Sequence, residues 1–173
     1  MNYHKIEKTS IANGEGIRVV LWVSGCSLYC KGCQNPQTWD FYGGKPFDDN
    51  AKQELFEALN KSYIQGITIS GGHPLETHNR PDVYCLITEI KNKFPTKDIW
   101  LYTGYTWEEI FEKGARETQR ILYWTDVLVD GKYIEDQRDL TLKWCGSRNQ
   151  RVIDVQKSLK ENKIILYNSD YNN

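Results

Sequence analysis

The chain lacks an excess of charge of either sign: 22 Lys and Arg stand against 23 Asp and Glu, a net charge of −1. That balance offers neither a basic stripe for a nucleic-acid backbone nor a polybasic patch for a membrane surface, so neither is expected as a partner. No uninterrupted apolar segment approaches membrane-spanning length, and Met1-Asn2-Tyr3-His4-Lys5 carries no apolar signal stretch. A soluble, cytoplasmic protein is expected. There is no internal repeat and no low-complexity tract, and 173 residues are too few for two comfortable domains. Residues 1–173 are therefore expected to form a single domain. An even set of cysteines is also missing: there are five, three of them between positions 26 and 33. This is a poor disulfide framework and suits a reducing compartment in which thiolates bind metal.

Those three are the most informative feature present. Cys26, Cys30 and Cys33 lie in C-S-L-Y-C-K-G-C, after the apolar run Val19-Val20-Leu21-Trp22-Val23 and the breaker pair Ser24-Gly25. Thiolates at this spacing on a strand-terminating loop can converge on one inorganic centre, and soft sulfur favours iron–sulfur clusters, zinc or copper(I). Three ligands rather than four leave a metal position open for chemistry. The competing reading is a structural zinc loop whose fourth ligand comes from Cys85, Cys145, His4, His73 or His78. The spacing alone leaves both open.

The remaining pattern alternates strands with helices. The stretch to Ile11 reads as short and partly extended, and Asn13-Gly14-Glu15-Gly16 as a turn. Ile17 to Val23 reads as a buried parallel strand, Phe41 to Pro46 as a loop. Asp48, Asp49 or Asn50 can cap a helix carrying Leu55, Phe56, Leu59 and Tyr63 on one face. A second strand covers Gly66 to Ser70, and a second helix carries Val83, Leu86, Ile87, Ile90 and Phe94 before Pro95 stops it. A third strand, Asp98 to Gly104, leads to a capping box at Thr106 and Glu109 and a helix to about Ala115. Asp126 to Gly131 is a fourth strand, and Arg151–Val155 and Lys163–Tyr167 are short extended candidates. Trp22, Trp100 and Tyr102 fall in presumed strands, where rings ordinarily pack the core. Right-handed βαβ units then predict an α/β fold with a mostly parallel sheet. Too few units exist to close an eight-fold barrel, so an open, partial (β/α) barrel is expected, its missing side filled by substrate or partner. Ligand sites gather at the carboxyl ends of such strands, where the cysteine loop, Gly71-Gly72, Thr103-Gly104 and Asp130-Gly131 all fall.

These residues resemble the radical S-adenosylmethionine (SAM) superfamily and, within it, the activating proteins of anaerobic ribonucleoside-triphosphate reductases. The resemblance runs through Asn13–Arg18, Gly25–Pro36, Thr38-Trp39, Ser70–Leu75, Asp98–Tyr105, Asp126–Gly131 and Gly146–Arg151. It implies that Cys26, Cys30 and Cys33 hold three irons of a 4Fe-4S cluster while the fourth chelates SAM. The cluster would cleave SAM reductively to a 5′-deoxyadenosyl radical, which abstracts hydrogen from a glycine of the large reductase subunit. An electron donor such as flavodoxin is implied as a further partner. The alternatives are an activase of another glycyl-radical enzyme, of the pyruvate formate-lyase type, and the non-catalytic zinc module.

The resemblance further implies that Gly71 and Gly72 meet the SAM amino group, the missing Cβ permitting close approach. Gly32, Cys33 and Gln34 are implied to line the SAM pocket. Gly32 and Gln34 cannot stack on adenine, which leaves Tyr29 or Trp39 for that task, or no ring at all, core packing being the usual use of such rings. Thr103, Asp126 and Asp130 are implied as places for a monovalent cation beside the SAM carboxylate, Asp130 the better of the aspartates, and Asn149, Gln150 and Arg151 as late SAM or partner contacts. His73 stands where an acidic residue is expected. Cys85 and Cys145 are not expected to bind iron.

Overall fold

The structure is a computed structural model that describes residues 1–167. Its strands are β1 (Asn2–Ser10), β2 (Arg18–Val23), β3 (Lys45–Pro46), β4 (Gly66–Gly71), β5 (Asp98–Tyr102), β6 (Val127–Asp130) and β7 (Arg151–Asp154). They form one seven-stranded sheet in the order β3-β1-β2-β4-β5-β6-β7. β2, β4, β5 and β6 run parallel, while β1 and β7 flank them antiparallel. With β3 and β7 as separate edges, the sheet is an open partial barrel.

The helices are α1 (Asp49–Leu59), α2 (Arg80–Lys93), α3 (Arg116–Tyr123) and α4 (Val155–Glu161). Asp48 caps α1 by accepting from the Ala51 amide at 2.9 Å, one of the three caps the sequence allows. Leu55 and Leu59 of α1, Val83, Leu86, Ile87 and Ile90 of α2, and Ile121 and Leu122 of α3 pack on Val19, Leu21, Val23, Ile67, Ile69, Ile99, Leu101 and Leu128. Alternate strand residues point the other way, where Trp100, Val127, Val129 and Val152 gather with Tyr102, Trp144 and Tyr167. One strand period thus sorts an aliphatic, helix-covered face from an aromatic inner face. None of the described helices is long and apolar enough to cross a membrane.

Several boundaries differ from expectation. The amino-terminal stretch is a nine-residue strand, because its partly charged sequence pairs with β2 near the sheet edge, where outward positions tolerate Lys5, Glu7 and Lys8. Tyr63 lies beyond α1, which ends at Leu59, and is exposed. The Thr106–Glu109 box forms, with reciprocal bonds of 2.8 and 3.2 Å. It opens onto one π turn, Glu109–Lys113, and the regular helix α3 starts only after Gly114. The second extended candidate near the end is reduced to a bridge between Ile153 and Leu166, with α4 placed before it.

Candidate cluster and cofactor site

The cysteine loop leaves β2 under backbone restraint. Ser24 N donates to Asn2 O at 2.9 Å, Gly25 N to Thr38 O at 2.8 Å and Cys26 N to Trp39 O at 3.1 Å. Gly25 holds φ +92°, and a Cβ there would lie 2.5 Å from the Phe41 ring, so only glycine makes this exit. The loop then borders a cavity of about 170 Å³ at the carboxyl ends of the parallel strands. Cys26, Cys30 and Cys33 all line it, opposite Gly71, Gly72 and Thr103.

Burial pushes the Cys26 and Cys30 thiols upward, opposed at Cys26 by the Leu28 amide and at Cys30 by Lys132 and the Tyr133 amide. Cys33 Sγ accepts from Asn35 N at 3.4 Å. The charge of a bound metal would offset that burial at Cys26 and Cys30, and a backbone amide already faces the Cys33 sulfur. Three such sulfurs around one cavity fit a cluster with one iron free of protein. Among the described residues, the zinc alternative has no fourth ligand in place. Cys85 is exposed on α2, and Cys145 packs in the aromatic cluster, its thiol pushed up to about 11 by burial. His4 lies against Gly43, and His78 packs edge-on to Phe41. His73 does line the cavity, but both of its ring nitrogens face protein partners.

Of the expected SAM contacts, Cys33, Gln34, Gly71, Gly72 and Thr103 line the cavity. Gly32 packs on Glu135, where a Cβ would lie 2.6 Å from the carboxylate. Asp130 is fully buried, its Oδ1 accepting from Arg151 Nε at 3.0 Å and its Oδ2 from Trp107 N at 2.8 Å and Arg151 Nη2 at 2.5 Å. Arg151 also forks onto Glu108 at 3.0 and 2.7 Å. Asn149 donates to Lys132 O at 2.8 Å and accepts from Ser147 Oγ at 2.7 Å, shaping the loop between β6 and β7. The neighbours Gly131 and Gln150 reach the cavity instead. Tyr29 and Trp39 pack edge-on to each other, with ring centres 5.2 Å apart, and neither borders the cavity.

The Gly-Gly turn has a purpose besides ligand approach. A Cβ on Gly72 would lie 2.7 Å from Gly25 O, inside the cysteine loop's own backbone. Gly72 N donates to Val23 O and His73 N to Gly25 O, both at 2.8 Å. No acid stands at position 73, but a carboxylate does sit beside the turn. Glu76 Oε1 lies 3.5 Å from His73 Nδ1 and accepts from Ser27 N at 2.8 Å and Ser27 Oγ at 2.5 Å. Hydrogen bonding from His73 foremost, with help from Ser27 and against burial, holds Glu76 down at about 2. On the other side of the ring, Nε2 lies 2.7 Å from the Thr103 hydroxyl. Sequence reasoning named His73 and Gln150 but missed Glu76, Trp22, Asn35, Ser70, Tyr102 and Tyr133; strand-end position was the available signal for Ser70 and Tyr102.

The profile of a family described as a 4Fe-4S single cluster domain matches residues 12–153. The chain is 44% identical over 154 residues to the anaerobic ribonucleoside-triphosphate reductase-activating protein of Enterobacteria phage T4, covering 88% of this chain and 93% of that one. The chain belongs to this family of activating proteins. The protein of the same description from Escherichia coli K12 is 42% identical over 154 residues, 88% of this chain and 97% of that one. That from Pasteurella multocida is 41% identical over 152 residues, 87% and 95%. The matched region runs from before β2 into β7 and takes in the whole wall of the cysteine-lined cavity.

Proposed function

We propose that this chain is a radical SAM activating enzyme that generates a glycyl radical on the large subunit of an anaerobic ribonucleoside-triphosphate reductase. The observation that carries the reading is the convergence of Cys26, Cys30 and Cys33 on one strand-end cavity of a family member matched as a 4Fe-4S single cluster domain. When bound, a 4Fe-4S cluster supplies the low-potential electron for reductive cleavage of SAM, and with it the hydrogen abstraction from glycine. The three cysteines would hold three irons. Cys33, Gln34, Gly71, Gly72 and Thr103 would form the SAM pocket, with the glycines admitting the ligand's polar end to the backbone. Thr103 would also be the residue left to meet a monovalent cation, since Asp130 is spent on Arg151 and the Trp107 amide. Gly32, Asp130, Asn149 and Arg151 would shape that wall through the loops they brace.

The protein's share of the work is placement and exclusion of water. The sheet leaves one side open, and the reductase glycine loop would close it. Residues 1–173 would act as one domain in the cytoplasm, with an electron donor of the flavodoxin kind and with neither nucleic acid nor membrane as partner. The test is anaerobic incubation of the iron–sulfur-loaded chain with SAM, a reductant and the large subunit of an anaerobic reductase, followed by electron paramagnetic resonance. A glycyl radical doublet that requires all components is expected. SAM cleavage with no radical on the reductase, or a zinc-loaded colourless protein, would overturn the reading.

A further inference from the structure

The segment between β4 and α2 reaches back into the cysteine loop on both sides of Cys26. Asn79, fully buried, donates from Nδ2 to Ser24 O at 2.8 Å and to His73 O at 3.1 Å. His73 N binds Gly25 O, and Glu76 takes both the amide and the hydroxyl of Ser27. Residues 24, 25 and 27 are thus each tied to the same short segment, while Cys26 between them lines the cavity. Through His73, the segment is joined in turn to Thr103 at the end of β5.

The charge on Glu76 needs its own explanation. Asn79 ties the loop with a neutral amide, at no cost of burying an ion. Glu76 is 8% exposed, and a carboxylate so placed costs free energy that a neutral acceptor would not. Through Ser27 the carboxylate stands one residue along the chain from Cys26, behind that ligand. Charge and hydrogen bonding around the sulfurs are what set the potential of an iron–sulfur centre, and partners behind the ligands set how firmly it is held.

We propose that Glu76 is a positioning residue for the cluster: its carboxylate fixes Ser27, and so the aim of Cys26, and sets a negative charge behind the cysteine loop that lowers the cluster's reduction potential. This rests on the cluster reading of the cysteine trio. The test compares the wild-type chain with Glu76→Gln, which keeps shape and removes charge, and Ser27→Ala, which keeps the charge and removes one bond. Each is reconstituted anaerobically with iron and sulfide. Three quantities are measured: iron and sulfide content, rate of iron loss to a ferrous chelator, and midpoint potential by spectroscopic redox titration.

Glu76→Gln is expected to assemble the cluster, to shift its potential to a more positive value and to lose iron about tenfold faster than wild type. Ser27→Ala is expected to lose iron faster with little change of potential. Wild-type iron loss in both variants would overturn the positioning role, and a wild-type potential in Glu76→Gln would overturn the electrostatic one. A Glu76→Gln chain that fails to fold, judged by circular dichroism of the metal-free protein, also counts against the proposal, which gives Glu76 a local duty in the loop. If the wild-type chain itself takes up no iron and sulfide, the cluster reading fails instead. That result is distinct from normal uptake with no response to the substitution.

Discussion

Replacing Arg151 by Met tests whether its guanidinium holds the fold or holds a ligand. Asp130 is fully buried, and Arg151 supplies two of its three hydrogen bonds, leaving only the Trp107 amide once the guanidinium is gone. Removing one partner of a buried pair costs about 3–5 kcal/mol, because the remaining charge is left uncompensated. The Arg151 side chain is 31% exposed. Water can therefore partly replace it, and the lower end, about 3 kcal/mol, is the better expectation. For a chain of this size each kcal/mol moves the melting temperature by about 2–4 °C, so Arg151→Met should melt about 6–12 °C below wild type. The assay is thermal unfolding of the metal-free chain by far-ultraviolet circular dichroism. The double variant Asp130→Asn with Arg151→Met should recover most of the loss, since the unpaired charge goes with it. Below the melting range, reconstituted Arg151→Met should bind SAM as wild type does, because in the structure its fork is spent on Asp130 and Glu108. A melting point within about 2 °C of wild type together with tenfold weaker SAM binding would refute the argument and return Arg151 to the pocket.

Cys26→Ala, Cys30→Ala and Cys33→Ala should each abolish cluster assembly, while Cys85→Ala and Cys145→Ala retain it; iron and acid-labile sulfide per chain decide the assignment. Gly72→Val should lower cluster content as well as SAM cleavage, since its side chain would enter the space of Gly25 O. Full iron loading with SAM cleavage alone lost would show that the loop yields and that only the ligand meets the turn. Glu108 is held down at about 2, chiefly by the hydrogen bonds of Arg151. Its folded-state value lies below the unfolded one, so its contribution is present above the ordinary carboxylate range and is lost as pH falls toward 2. Glu108→Gln should therefore flatten the fall of melting temperature between about pH 4.5 and 2, and an unchanged acid limb would remove this ion pair from the acid response.

The parallel core was legible because burial on both sides writes itself as continuous apolar runs. Val19 to Val23, Ile67 to Ile69 and Val127 to Val129 are buried in the sheet, and each was readable as a strand. The antiparallel margin was harder. β1 carries Lys5, Glu7 and Lys8, and its pairing with β2 contains irregular registers, so alternation is blurred where one side meets water. The π turn at Glu109–Lys113 was hidden for another reason. Its capping box is a true local signal, but Gly114 ends the turn in an extended conformation, and the regular helix restarts only at Arg116.

The site divides in the same way between what is local in sequence and what is assembled by the fold. The three cysteines are local: spacing alone brings them to one loop, and the fold adds the cavity. The contacts of Asp130, Arg151 and Glu108 are not local, and the strand-end rule, which places residues on the right rim, is silent on whether a side chain faces inward or is consumed by a neighbour. Gly72 shows how one residue can satisfy both demands. Its missing Cβ makes room for the backbone of the loop that carries the thiols, so the turn and the loop form one packed unit before any ligand binds. His73 then has a physical account despite standing where an acid was expected. The ring spans from Thr103 to Glu76, and the carboxylate is delivered three residues later, where it can reach Ser27. A motif read by letters records a departure at that position. Read by contacts, the turn still has a carboxylate beside it, now bound to the loop that carries the cysteines.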